Sequence, residues 1–292
     1  MRKLLLLALL LCAHAADAQV AQTGAGKATS AAAGCSQATA FLAQNGNYKP
    51  TETTALICGL VSQSASGGGS LYSHLFRFYI YESDTDPHSR IDVVSLATAS
   101  TINSGSLTFT ANNGWAATAA AALDSSITPS TTLSLNSTGL GGCVLTSRTS
   151  NSTASLWGST DGTNFIYFRP INGSAALEGG VNDPSFATGT APANVNGIWF
   201  QIRAGSTQWL AYHGTGGSAS LLATVSATSS TLPNVSIYSL AYNQAGSPTS
   251  TDLVDQLGFF WISDGSYNAT DVSNFAALIH TYSLAVQGSG TC

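Results

Sequence analysis

From Leu71 onward the chain is interrupted roughly every eight to twelve residues by glycine, serine, asparagine or proline. The pieces between these breaks are short alternating runs, among them LFRFYIYE, SLTFTANN, CVLTSRTS, NFIYFRP, IWFQIRAG, QWLAYHG and LGFFWISD. Alternation with period two puts successive side chains on opposite faces of a strand. About a dozen such runs with no helical segment between them predict an antiparallel sandwich or barrel. A parallel βαβ sheet is excluded, because each parallel connection needs a crossover long enough to hold a helix.

Two regions depart from this texture. From Cys35 to Val61, SQATAFLAQ and TETTALICGLV carry apolar residues at helical spacing on either side of the breaker NGNYKP, with Thr51 or Thr53 as caps for the second helix. Near the end, NATDVSNFAALIHTYSLAV places Val272, Phe275, Ala276, Ile279, Tyr282 and Val286 on one stripe, with Asn268 as its cap. The domain reading is therefore a signal peptide (1–18), a flexible leader (19–34), two short helices with a Gly/Ser-rich loop (35–70), and a β-sandwich with a C-terminal helix (71–292).

The signal peptide rests on Arg2 and Lys3, the apolar Leu4 to Cys12, and small residues ending at Ala18. Its apolar run is too short for a membrane span, which needs about 20 residues, so the expected location is secreted or periplasmic. Export makes a disulfide framework the natural reading of Cys35, Cys58, Cys143 and Cys292. Of three connectivities, sequence proximity favours Cys35 with Cys58, leaving Cys143 with Cys292.

Charged residues are only 8% of the chain and the net charge is −5, with no run of Lys or Arg. Phosphate backbones are met by clustered cations, so nucleic acid is not an expected partner. Sandwich glucanases need carboxylates about 5 to 9 Å apart across the scissile bond. The nearest set, Glu82, Asp84 and Asp86 in YESDTDPHSR, lacks a third carboxylate at the right spacing and reads as a loop. Asp84 and Asp86 are the calcium candidates, since calcium takes several oxygen ligands. There is no G-x-S-x-G elbow, and His74, His88, His213 and His280 fall in unrelated contexts. No catalytic residue is assigned, and a non-enzyme is expected.

The stretch GSTDGTNFIYFRPING sets Asp161 in a glycine-rich turn ahead of three aromatics and an arginine. Asp-Gly between two strands predicts a type I′ hairpin, with Asp161 a turn residue. In the outgoing strand Ile166 and Phe168 share the face suited to the core, leaving Tyr167 and Arg169, with Trp157, for the outer face. Aromatic planes of this kind stack sugar rings while a neighbouring Arg fixes hydroxyls. Trp157, Tyr167, Arg169 and Tyr212 are the ligand-binding candidates.

The segments GIWFQIRAGSTQWLAYHGTGG, LPNVSIYSLAYNQAGSP and VDQLGFFWISDG, followed by the terminal helix, resemble the closing strands of concanavalin A-like, laminin G-type jelly rolls. More narrowly, the chain is similar to sandwich domains of phage and prophage tail-associated proteins. The resemblance runs over Phe41 to Val286 through hydrophobic patterns. It implies an all-β, antiparallel jelly-roll β-sandwich whose role is lectin-like recognition of glycan or a cell-surface polysaccharide. The alternative is a structural part of a tail or fibre, virion-associated and homo-oligomeric.

Overall fold

The structure is a computed structural model describing residues 34–292 apart from 103, 104, 151 and 289, so the signal peptide and all but the last residue of the leader lie outside the described residues. The strands are β1 (Leu75–Ile80), β2 (Ser100–Ile102), β3 (Leu107–Thr110), β4 (Gly114–Ala117), β5 (Ala122–Asp124), β6 (Ser137–Val144), β7 (Trp157–Thr160), β8 (Phe165–Arg169), β9 (Ala176–Asp183), β10 (Ala187–Thr190), β11 (Gly197–Ala204), β12 (Gln208–Gly214), β13 (Ser220–Ser226), β14 (Tyr238–Ser239), β15 (Tyr242–Gln244), β16 (Ser247–Thr249) and β17 (Gln256–Ser263). Three longer helices, α1 (Ser36–Gln44), α2 (Pro50–Ser62) and α5 (Ala269–Gln287), accompany two single-turn ones, α3 (Asp86–Ser89) and α4 (Pro129–Thr132).

The inner sheet has 8 strands in the order β13-β12-β11-β6-β17-β4-β3, with β1 also beside β17. The outer sheet has 9, in the order β10-β9-β8-β7-β14-β5-β2, with β15 on β7 and β16 on β15. Strand pairing is antiparallel apart from β15 beside β7. The chain is thus an all-β sandwich with short N-terminal helices and a C-terminal helix, as the alternating runs predict.

Helices on the inner sheet make the arrangement three layers deep, and β17 records this in its composition. Leu257, Phe260 and Ile262 enter the core between the sheets, whereas Phe259 and Trp261 enter a second core beneath the helices. A strand buried on both faces has no polar side to show, which is why LGFFWIS is apolar throughout. A register shift at Gly258 resets the alternation. Likewise Ile198, Phe200 and Ile202 of β11 face the helices while Trp199 faces the outer sheet. Between β11 and β17, β6 carries Gly141, where a Cβ would lie 2.1 Å from the Trp261 ring and 2.4 Å from the Trp199 carbonyl oxygen. Glycine at this position leaves room for the Trp261 indole against the neighbouring backbone.

The predicted stripe of α5 is buried in full: Val272, Phe275, Ala276, Ile279, Tyr282 and Val286. Asn268 caps it in a reciprocal capping box with Asp271, and Gly288 ends it at φ 75°. The expected threonine caps of α2 are not used. Pro50, whose φ is preset for a first helical position, starts the helix one residue after Lys49, and no side chain caps it. One disulfide, Cys35–Cys58, joins the start of α1 to α2, and the other, Cys143–Cys292, ties β6 to the C-terminus.

Candidate functional site

Among the described residues no long helix covers the face of the outer sheet turned away from the inner one, so its side chains define what the sandwich presents. β8 supplies the centre. Ile166 and Phe168 point inward with no exposed surface, and Tyr167 and Arg169 point outward, as the alternation predicts. Trp157 does not join them. It lies directly opposite Phe168 across the β7–β8 pair, and opposed residues share a face. Its ring therefore stacks on Phe168 inside the sandwich (4.8 Å, 6°), and its Nε1 donates to Gln201 Oε1 at 3.1 Å. Tyr212 is elsewhere again: on β12, just past a register shift, it enters the core beneath the helices. Of the four ligand candidates, only Tyr167 and Arg169 come together, with the guanidinium carbon 4.9 Å from the ring centre.

Sequence reasoning missed the rings around them. Phe186, in the β9–β10 turn, stacks on Tyr167 (4.4 Å, 29°) and meets Phe165 edge-on (4.6 Å, 64°). Tyr242 of β15 meets Tyr167 at 5.3 Å, also edge-on. The space exists because the cross-strand neighbours of Tyr167 are both glycines, Gly158 on β7 and Gly180 on β9. A Cβ at Gly158 would sit 3.0 Å from that of Tyr242. Tyr167 is consequently 1% exposed, and burial raises the pKa of its hydroxyl, while Phe186 keeps 43% of its surface in solvent. A lone Phe in the polar turn NDPSFAT was the available signal, since turns rarely need a large apolar side chain.

The polar border of this cluster is closed on itself. Arg169 donates from Nη1 to Glu178 Oε1 (3.1 Å), from Nε to the Ala154 carbonyl (3.1 Å) and from Nη2 to the Thr153 carbonyl (2.6 Å). Glu178 Oε2 accepts from Asn172 Nδ2 at 2.6 Å. Asp161 lies at the end of the same hairpin as a turn residue. Thr160 and Phe165 are the last paired residues, so the loop has four members in place of two, and of the Asp-Gly pair only Gly162 takes positive φ. The type I′ turn is replaced by an Asx-type loop, because Asp161 Oδ1 accepts from the backbone N–H of Thr163 (3.0 Å) and Asn164 (2.9 Å). Slight burial opposes them, but these bonds hold the Asp161 carboxyl below its usual range.

The carboxylates of YESDTD are dispersed. Glu82 is wholly buried below α5, where its Oε1 accepts from Ser283 Oγ at 3.0 Å and lies 3.5 Å from Cys292 Sγ. Burial, against the opposing Ser283 bond, pushes its pKa up to about 8. Asp84 is paired with His88 (2.8 Å) and Asp86 with Arg90 (2.5 Å), each one turn apart. Both calcium candidates are therefore held by cationic or imidazole partners, and no group of His, Cys, Asp or Glu among the described residues is arranged to hold a metal. His213 stacks on Trp199 at 4.0 Å, inside the sandwich.

No family model matches the chain, and no curated protein matches it. Among solved structures it is similar to domain 4 of AbnA, a GH43 extracellular arabinanase from Geobacillus stearothermophilus solved with arabinotriose, at 14% identity and a TM-score of 0.47, covering 70% of this chain and 98% of that one. It is also similar to Trypanosoma rangeli sialidase in complex with sialic acid, at 13% identity and a TM-score of 0.44, covering 76% of this chain but 36% of the sialidase. A Bacteroides ovatus GH43B protein matches at 12% identity and a TM-score of 0.31, over 64% of this chain and 39% of that one.

Proposed function

We propose that the protein recognises carbohydrate, or a surface that displays it, without chemical turnover, and that Phe186 backed by Tyr167 is the platform. One observation carries this reading: on the uncovered face of the outer sheet a solvent-open phenyl ring is stacked on, and fixed by, a cluster of three more aromatics. Single exposed apolar side chains are ordinary on protein surfaces, but a pre-ordered ring costs little entropy on binding. The C–H face of a pyranose packs on such a ring, and polar groups at its edge set orientation. Ser185 directly precedes the ring in its turn, and Tyr242, which meets Tyr167 edge-on, has its hydroxyl 3.5 Å from Gln244 Oε1.

Binding without hydrolysis fits the sequestration of Glu82 and the internal pairing of Asp84 and Asp86. Two disulfides suit an oxidising compartment, in keeping with export. The concanavalin A-like resemblance is part of this same proposal, in which the sheet face rather than an active-site groove meets the ligand.

A glycan array with the purified protein, run beside Phe186→Ala and preceded by sizing chromatography, tests the proposal. Saturable binding lost in the variant is the expected result. A silent array together with a clean trimer would overturn it in favour of a structural component of a tail or fibre.

A further inference from the structure

We infer that the platform accepts neutral glycans and rejects acidic ones, an inference that rests on the recognition proposed above and specifies its ligand. The basis is the fate of every cation near it. Among the described residues the arginines are Arg77, Arg90, Arg148, Arg169 and Arg203, and each faces a carboxylate of the same chain: Asp92, Asp86, Asp255, Glu178 and Asp183 respectively. The remaining described cation of the Lys/Arg type, Lys49, stands at the start of α2 in the helical layer, with the inner sheet between it and the outer one. The described histidines lie in or beside β12, α3, α5 and the turn before β1, none of them on the outer sheet.

Arg169 is the one guanidinium at the platform. Its charge is matched by Glu178 at 3.1 Å, its N–H groups at Nε and Nη2 serve backbone carbonyls, and its side chain is only 12% exposed. A uronate or sialate carboxylate reaching this spot would have to displace Glu178, leaving a carboxylate with no cation. Recognition of planar anions by Arg needs the fork of N–H donors to be free, and this fork is occupied. The chain as a whole adds repulsion, at −5. The polar groups next to the cluster, the Ser185 hydroxyl before Phe186 in the turn and the Tyr242 hydroxyl with its Gln244 partner, are uncharged and suited to sugar hydroxyls.

The test is affinity electrophoresis of the intact protein through native gels containing neutral polymers (galactomannan, mixed-linkage β-glucan, glycogen) or anionic ones (polygalacturonate, alginate, hyaluronan), at about 50 and about 500 mM NaCl. Retention by at least one neutral polymer is expected, changing less than twofold with salt and falling at least tenfold in Phe186→Ala, with no retention by the anionic set. Circular dichroism melting of the variant separates loss of the platform from loss of fold. Salt-sensitive retention by an anionic polymer overturns the inference while leaving glycan recognition standing. Retention by neutral polymers that survives Phe186→Ala in a folded variant overturns the platform itself. No retention by either set overturns the inference together with the recognition it rests on.

Discussion

Tyr167 is nearly closed to solvent by side chains that lie far from it in sequence, Phe186 and Tyr242. Phe186→Ala should uncover it with a modest loss of stability, about 1–3 kcal/mol for the two aromatic pairs removed, measurable by urea unfolding. A loss above about 4 kcal/mol would mean the ring belongs to the core. Glu82 gives a second test. Its folded pKa of about 8 stands above the 4.5 of the unfolded chain, so between those values the unfolded state releases a proton that the folded state keeps. Stability contributed by the protonated group is present below about 4.5 and declines as pH rises toward 8, at up to about 1.4 kcal/mol per pH unit. Glu82→Gln, which keeps the shape without the charge, should flatten the fall in melting temperature from pH 5 to pH 8, and an unchanged slope would place the proton elsewhere. At this scale the sequence was half legible. Tyr167 and Arg169 share a face by the alternation of their own strand, but Trp157 is placed by the register of its neighbour, which no single strand encodes.

Elements built on a strong period were readable in advance: α5 from its 3.6-residue stripe, the strands from their alternation. What the period does not carry is the number of layers. The unbroken apolar run of β17 signals burial on both faces only once the helices are known to pack there, and the β7–β8 loop length depends on which residues of β8 pair. The glycines of β6 are an element property, and Gly141→Ala should cost about 1–3 kcal/mol by overpacking against the Trp261 ring, read from denaturant midpoints. The turn before β1 holds a second element-scale device. His74 Nδ1 lies 2.7 Å from Asp264 Oδ2 and its Nε2 2.6 Å from the Gly68 carbonyl, so both nitrogens face acceptors. Burial lowers its pKa, but these two bonds and the nearby Asp264 and Asp271 charges outweigh it and the pKa is raised; the Tyr267 ring packs edge-on beside it. The stability this gives is complete below pH 6.5 and is lost as pH rises through the folded value. The ring should therefore titrate above 6.5 by NMR and move down in Asp264→Asn, and a midpoint at or below 6.5 in the parent would remove the clamp.

For the whole molecule, both sulfurs of Cys143–Cys292 are 0% exposed and the bridge closes a separation of 149 residues. Attack by a thiolate needs access to a sulfur. Under native conditions dithiothreitol should leave this bridge intact while denaturant releases its thiols, and replacing both cysteines by alanine should remove about 2–5 kcal/mol. Rapid native-state reduction would show that the C-terminal tail opens freely. The layering sets a further condition, on change rather than on stability. The central strands of the inner sheet, β11, β6 and β17, are packed on both faces, so a substitution on either side of them meets a core. Among the described residues the far face of the outer sheet has no long helix packed on it. Phe186, Thr188 and Gln244 are exposed, so substitutions can accumulate on them without crossing the interior, and library selection can vary this surface on a scaffold that need not be redesigned.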